Sequence, residues 1–291
     1  MITDAELAVL EREVQAALRC GDPSGLHLLG EGEISLVLAG GGDPTWACKR
    51  LPPFPAREPA DRYVSMIERY IDELTARGVR VLDTSLRRLD GPDGTIVLYC
   101  VQPVLAPDHL AVGLAERDAS TGDEMLGSIV DVVLDVVDAR VGLDAQLSNW
   151  ALVEGRLVYL DITTPLLRDA DGASELDTDV FLASLPWALR GIVRRWFVPS
   201  ILERYHDPRT VVLDLAANLL KEGLDALVPP LVVLTAGRIE PPLSVEEVRR
   251  DRRNDAATWT ALQATRRVDR AWQRRIRRRP YPFLLPNHRR S

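Results

Sequence analysis

The chain has no apolar run of about 18 or more residues, so no transmembrane helix is expected of it. Its opening, Met1-Ile2-Thr3-Asp4-Ala5-Glu6, is acidic and lacks the apolar stretch of a secretory signal. Cysteine is scarce. Cys20, Cys48 and Cys100 are odd in number and show no C-x-x-C spacing. That excludes a disulfide framework and a zinc ribbon, and it fits reduced thiols in a cytoplasmic protein. Lysine is scarcer still: of 36 basic residues only Lys49 and Lys221 are lysine, and 34 are arginine. A compact ammonium and a forked guanidinium do different work, so a lysine in so arginine-rich a chain marks a position to examine.

At 291 residues and 46% hydrophobic, the chain can hold one large or two moderate cores. Its net charge of −7 is uneven. Arg238 to Ser291 carries 15 arginines against 6 acidic residues, a net +9, which leaves −16 for the rest. Ser244-Val245-Glu246-Glu247 is a capping-box start for a long final helix reaching about Arg279. The basic run Arg274 to Arg279 is read as a solvated, acid-matched face, and no specific nucleic-acid partner is expected.

Periodicity predicts a helix over Thr3–Arg19, with Leu7, Leu10, Val14 and Leu18 on one face. Strands follow over Leu26–Gly30, Ile34–Ala39 and Thr45–Arg50. A proline-rich connector, Leu51–Pro59, leads to a helix over Arg62–Arg77 that stops at Gly78. Ser85–Leu89 and Thr95–Val101 complete a five-stranded sheet. An apolar helix, Glu124–Arg140, then runs into two short strands, Trp150–Val153 and Arg156–Leu160, hinged at Glu154-Gly155. The remainder reads as helices punctuated by prolines, over Asp177–Tyr205, Pro208–Gly223 and Leu224–Leu234.

The chemistry-bearing residues fall in a definite order along these elements. Gly30-Glu31-Gly32-Glu33-Ile34-Ser35-Leu36-Val37 lies on a hairpin, where backbone without Cβ atoms lets N–H groups approach phosphates. Trp46-Ala47-Cys48-Lys49 sits on the third strand, and Glu68 stands on the next helix, 19 residues beyond Lys49. Asp144 and Asn149 flank a loop, and Asp161 ends the hairpin that follows. A carboxylate such as Asp144 can accept a hydroxyl proton. An amide oxygen and a second carboxylate, Asn149 and Asp161, are hard oxygen ligands of the kind Mg²⁺ takes.

In that order the motifs resemble those of the protein-kinase-like superfamily. Its pattern is G-x-G-x-x-G-x-V, V-A-I-K, a helix glutamate, H-x-D-x-x-x-x-N, and a strand carrying the Asp of D-F-G. The resemblance covers Leu26 to Asp161. It implies an α+β, two-lobed protein-kinase-like fold: an N-lobe with a small antiparallel sheet over 1–102, and a larger, mostly helical C-lobe over 103–291. It implies ATP and Mg²⁺ between the lobes. Gly30, Gly32, Ser35 and Val37 would border the nucleotide, and Ala47 would lie under adenine. Lys49 would hold the α- and β-phosphates, with Glu68 as its partner and Glu73 in reserve. Gln102 falls in the hinge, Val101–Leu105, whose backbone would meet the adenine edge. Asn149 and Asp161 are the implied metal ligands and Asp144 the implied catalytic base.

Four departures qualify the match. Ser35 stands for the third glycine, Gly142 for the His, Ile162-Thr163 for Phe-Gly, and there is no A-P-E sequence. The lack of a long activation loop resembles the small-molecule branch, the aminoglycoside and choline phosphotransferases, although that branch normally keeps the His. The expectation is an ATP-dependent phosphotransferase acting on a hydroxyl of a small molecule, with no membrane partner. A Ser/Thr protein kinase and a nucleotide-binding pseudokinase are the alternatives.

Overall fold

A computed structural model describes residues 1–31, 36–42, 45–178 and 198–254. Helix α1 (Asp4–Cys20) starts at a capping box: the Thr3 hydroxyl accepts from the Glu6 N–H, and the Glu6 carboxylate accepts from the Thr3 N–H. It stops at Gly21, whose φ of 69° places it in the left-handed region that glycine enters without strain. Leu7, Leu10, Val14 and Leu18 pack against one face of the sheet, on Leu38, Cys48, Val97, Tyr99 and Val101. A buried carboxylate also sits there. Glu11 accepts a bidentate pair from Arg50, at 2.8 and 2.9 Å, and the Tyr99 hydroxyl at 2.6 Å. Burying that ion pair is tolerable only because its partners are in place.

The sheet has five antiparallel strands, β1 (Leu28–Glu31), β2 (Leu36–Gly40), β3 (Trp46–Arg50), β4 (Ser85–Asp90) and β5 (Ile96–Pro103), in the order β1-β2-β3-β5-β4. Register decides which side chains share the face away from α1. Val37 pairs with Lys49, which pairs with Cys100; Ala39 pairs with Ala47, which pairs with Gln102. Directly opposed residues point to the same side, so Val37, Ala47, Lys49 and Gln102 line one face.

Helix α2 (Arg57–Ala76) covers part of that face and begins five residues before the expected Arg62. It takes Pro59 into its first turn, where a missing N–H costs nothing because those N–H groups have no helical partner. Tyr63, Val64, Ile67, Tyr70 and Leu74 are its buried face, in one core with Leu98 and Cys100 of β5.

The rest is mostly helical: α3 (Ala111–Arg117), α4 (Ala119–Val136), the hairpin β6 (Trp150–Val153) and β7 (Arg156–Tyr159), α5 (Val198–Arg204), α6 (Pro208–Lys221) and α7 (Val228–Thr235). Leu126, Ile129, Val130 and Val133 of α4 meet Val212, Leu215, Ala216 and Leu219 of α6 and Leu231 of α7, in a core continuous with that of α2. Helix α4 stops short of the expected Arg140. The Asp138 carboxylate accepts the N–H groups of Arg140 and Val141, at 2.7 and 2.8 Å, and turns the chain.

Of the helix expected over Asp177–Tyr205, residues 179–197 lie outside the described residues. The helix that follows Ser244 is described to residue 254, so the Arg274 to Arg279 run lies outside as well. Among the described residues no helix is long and apolar enough to cross a membrane. The architecture is α+β, and its elements follow the order that the kinase-like resemblance implied.

Candidate active site

Lys49 and Asp161 lie 112 residues apart and meet: the Lys49 Nζ donates to both oxygens of the Asp161 carboxylate at 2.8 Å. Strand β3 supplies the lysine. The β6–β7 hairpin supplies the aspartate, through a turn in which Glu154 and Gly155 both take positive φ, 52° and 71°. That geometry matches the twist of the two strands. Strand β7 returns beside the 141–149 loop, and just past it the Leu160 N–H donates to the Asn149 carbonyl at 2.9 Å. Asp161 is therefore set down beside Asn149. The sheet fixes the same point from its side. Gln102 Nε2 donates to the Leu160 carbonyl at 2.8 Å and to Thr84 Oγ1 at 2.9 Å. Gln102, paired with Ala47 of β3, thus ties the sheet to the end of the hairpin.

The Asp161 carboxylate has two more donors, the Thr163 N–H at 3.1 Å and the Thr163 hydroxyl at 2.7 Å. Burial works to raise the Asp161 carboxyl. The Lys49 ammonium and the Thr163 donors outweigh burial and hold it below the usual carboxylate range. Thr163 stands where the motif has glycine, so this departure adds a hydrogen-bonding hydroxyl to the carboxylate.

The Asp144 carbonyl accepts the Asn149 side-chain N–H and the Tyr159 hydroxyl, both at 3.1 Å. The Asn149 amide nitrogen is thereby committed to the loop, and its oxygen is the end left to offer a cation. The Asp144 side chain is half-buried. Its charge and that of Asp161 both reach the phenols of Tyr70 and Tyr159. Burial above all, with those charges added, pushes both phenols well above their ordinary range and keeps them hydrogen-bond donors.

Gly142 occupies the His position of the motif. A Cβ there would lie 2.8 Å from the Tyr205 carbonyl oxygen, 3.0 Å from His206 Cε1 and 3.1 Å from His206 Nε2. An imidazole does adjoin the loop, but the turn after α5 supplies it. His206 is buried with its Nδ1 3.0 Å from the Leu202 carbonyl, so Nδ1 carries the proton; Nε2 has no hydrogen-bond partner among the described residues. Burial lowers its pKa, against the carbonyls of Leu202 and Leu166, which favour the charged ring. The loop backbone is held on both sides: the Gly142 N–H donates to Leu166 O at 2.8 Å and the Leu143 N–H to Tyr205 O at 3.1 Å. Gly142→Ala is expected to destabilise the fold by about 1–3 kcal/mol, because backbone stands in the way of the new methyl. A denaturant midpoint shows the loss; an unchanged midpoint would mean that the loop relaxes freely.

Gly30 pairs with Val37 at the edge of this site, and among the described residues an added Cβ at Gly30 would touch the Val37 side chain, at 3.8 Å. Packing alone does not require glycine there. Gly32 and Ser35 lie outside the described residues. Glu68 departs from expectation: it is exposed, and the lysine it was to hold is bonded to Asp161. The buried face of α2 runs through Tyr63, Ile67 and Tyr70, and Glu68, about 100° round from Ile67, faces solvent. The reserve, Glu73, is half-exposed and pairs with Arg77 at 3.7 Å. Motif reasoning misses Tyr63, Tyr70, Tyr159, Thr163 and His206. A pair of tyrosines seven residues apart on one helix face is the one signal the sequence offers for any of them.

Residues 9–270 match the model of DUF6206, a family of unknown function. The solved structure of WaaP in complex with acyl carrier protein is similar at a TM-score of 0.40 and 13% identity, over 86% of this chain and 91% of that chain. No curated protein matches the sequence.

Proposed function

The chain belongs to DUF6206, a family of unknown function, and from the geometry of its own site we propose that it is an ATP-dependent phosphotransferase acting on a hydroxyl of a small molecule. The observation that carries this reading is the 2.8 Å pair between Lys49 and Asp161, with Asp161 set beside Asn149 by the Leu160–Asn149 backbone bond. ATP would lie between a sheet-bearing lobe, residues 1–102, and a helical lobe, residues 103–291. Lys49 would then share its ammonium between Asp161 and the α- and β-phosphate oxygens.

The donor set fits magnesium. Asp161 and Asn149 offer hard oxygens, and the described residues contain no cluster of three or more His, Cys, Asp or Glu able to hold an ion unaided. An ion here would complete its shell from phosphates and water, the usual arrangement for Mg²⁺. When bound, it neutralises charge on the phosphates. Asp144 would accept the hydroxyl proton as the acceptor oxygen attacks the γ-phosphorus. The bond from that phosphorus to the β,γ-bridging oxygen breaks, and ADP leaves with the electron pair.

A small acceptor is favoured over a peptide by the course of the chain after Asp161. It turns straight back: Leu166 O accepts the Gly142 N–H and Arg140 O accepts the Arg168 N–H, at 2.8 and 2.9 Å. No long loop lies between Asp161 and Arg168. The test is a thermal shift. Mg-ATP is expected to raise the melting temperature of the wild type, because a ligand bound only to the native state stabilises it. Lys49→Met is expected to weaken binding about tenfold, the scale of one charge-assisted contact. No shift at millimolar nucleotide would refute the proposal.

A further inference from the structure

We propose that Tyr63 and Tyr70 are positioning residues through which α2 sets the two loops of this site, one phenol to each loop. The inference rests on the phosphotransferase reading and specifies how that site is held. The two tyrosines are seven residues apart, about two helical turns, and therefore share a face of α2. The Tyr63 hydroxyl donates to the Thr163 carbonyl at 2.8 Å. The N–H and hydroxyl of that same threonine hold the Asp161 carboxylate. The Tyr70 hydroxyl donates to the Gly142 carbonyl at 2.9 Å, two residues before Asp144.

Both tyrosines are closed off from solvent, at 2% and 0% exposure. A phenylalanine would fill the same space, so packing does not demand the hydroxyls. Buried hydroxyls must find partners, and each of these has found a carbonyl on a loop that carries a site carboxylate. Glu68, the residue expected to tie this helix to the site, is exposed. Two neutral hydrogen bonds to backbone thus join helix and site, and α2 acts as a ruler between the Asp161 and Asp144 loops.

The two bonds lead to different steps, which makes the assignment testable with Tyr63→Phe and Tyr70→Phe. Both variants keep the ring. Steady-state hydrolysis of Mg-ATP, with water as acceptor, separates them. Tyr63→Phe loosens the Asp161 side and is expected to raise KM for Mg-ATP about tenfold with kcat within about twofold. Tyr70→Phe loosens the Asp144 side and is expected to lower kcat about tenfold with KM within about twofold. Amide hydrogen exchange on the nucleotide-free protein should show the same division, faster around 161–163 in the first variant and around 142–149 in the second. If water proves too poor an acceptor to follow, exchange alone decides. Variants that match the wild type, or that change both loops alike, overturn the assignment while leaving an active wild type as a phosphotransferase. A wild type that neither binds nor turns over Mg-ATP overturns the phosphotransferase reading, and the assignment with it.

Discussion

Replacing Asp161 by alanine is expected to lower phosphate transfer by about 10³-fold or more and to remove the magnesium dependence of nucleotide binding. Asp161 carries more of the site than any other side chain. It accepts both contacts of Lys49 and both Thr163 donors, and it lies beside Asn149. Without it the Lys49 ammonium loses the partner that fixes its position, and Asn149 is the one proposed protein ligand that a metal would retain. Titrating ATP with and without Mg²⁺, with a melting curve as readout, checks this. The wild type should show a larger shift with the metal, and Asp161→Ala the same small shift in both conditions. A variant that keeps its metal-dependent shift would remove Asp161 from the metal site.

Replacing Asp144 by asparagine is expected to act on the rate and leave the nucleotide alone. The Asp144 side chain accepts the long contacts of the Gln146 N–H and Nε2, at 3.4 and 3.5 Å, and its carbonyl accepts from Asn149 and Tyr159. An asparagine side chain of the same shape leaves the carbonyl contacts in place. It cannot take the proton of an acceptor hydroxyl, so kcat is expected to fall by about 10²-fold or more while the Mg-ATP shift stays at the wild-type value. The contrast with Asp161→Ala separates the proposed base from the proposed ligand. Full activity in Asp144→Asn would take the role of base away from it.

The fold was legible where patterning is local. Alternating apolar residues and glycine turns marked every strand of the sheet within a few residues. Register then placed Val37, Ala47, Lys49 and Gln102 on one face, a consequence of period-two alternation. Lys49 stood out because lysine is so rare in the chain, and Asp161 because it ends a hairpin.

What the sequence hid has physical reasons. Glu68 sits at the family spacing from Lys49, but spacing does not report the rotation of a helix about its axis, and the tyrosines turn α2 so that Glu68 faces water. The phenols of Tyr63 and Tyr70 read as members of an apolar stripe, because periodicity counts a tyrosine as a hydrophobic residue and is silent about its hydroxyl. Gly142 looked like a simple loss of histidine. The ring that adjoins it, His206, comes from 64 residues further on, a tertiary contact that no local motif encodes.

Movement of phosphate from ATP to a small hydroxylated molecule can be watched by phosphorus NMR, on wild-type protein with ATP, Mg²⁺ and a panel of hydroxylated metabolites and aminoglycosides. With a matching acceptor, the γ-phosphate resonance is expected to decline as ADP and a new phosphomonoester resonance grow, and Asp161→Ala is expected to show neither change. ATP left intact beside every acceptor, in a protein whose melting temperature Mg-ATP does not move, would contradict the proposed transfer.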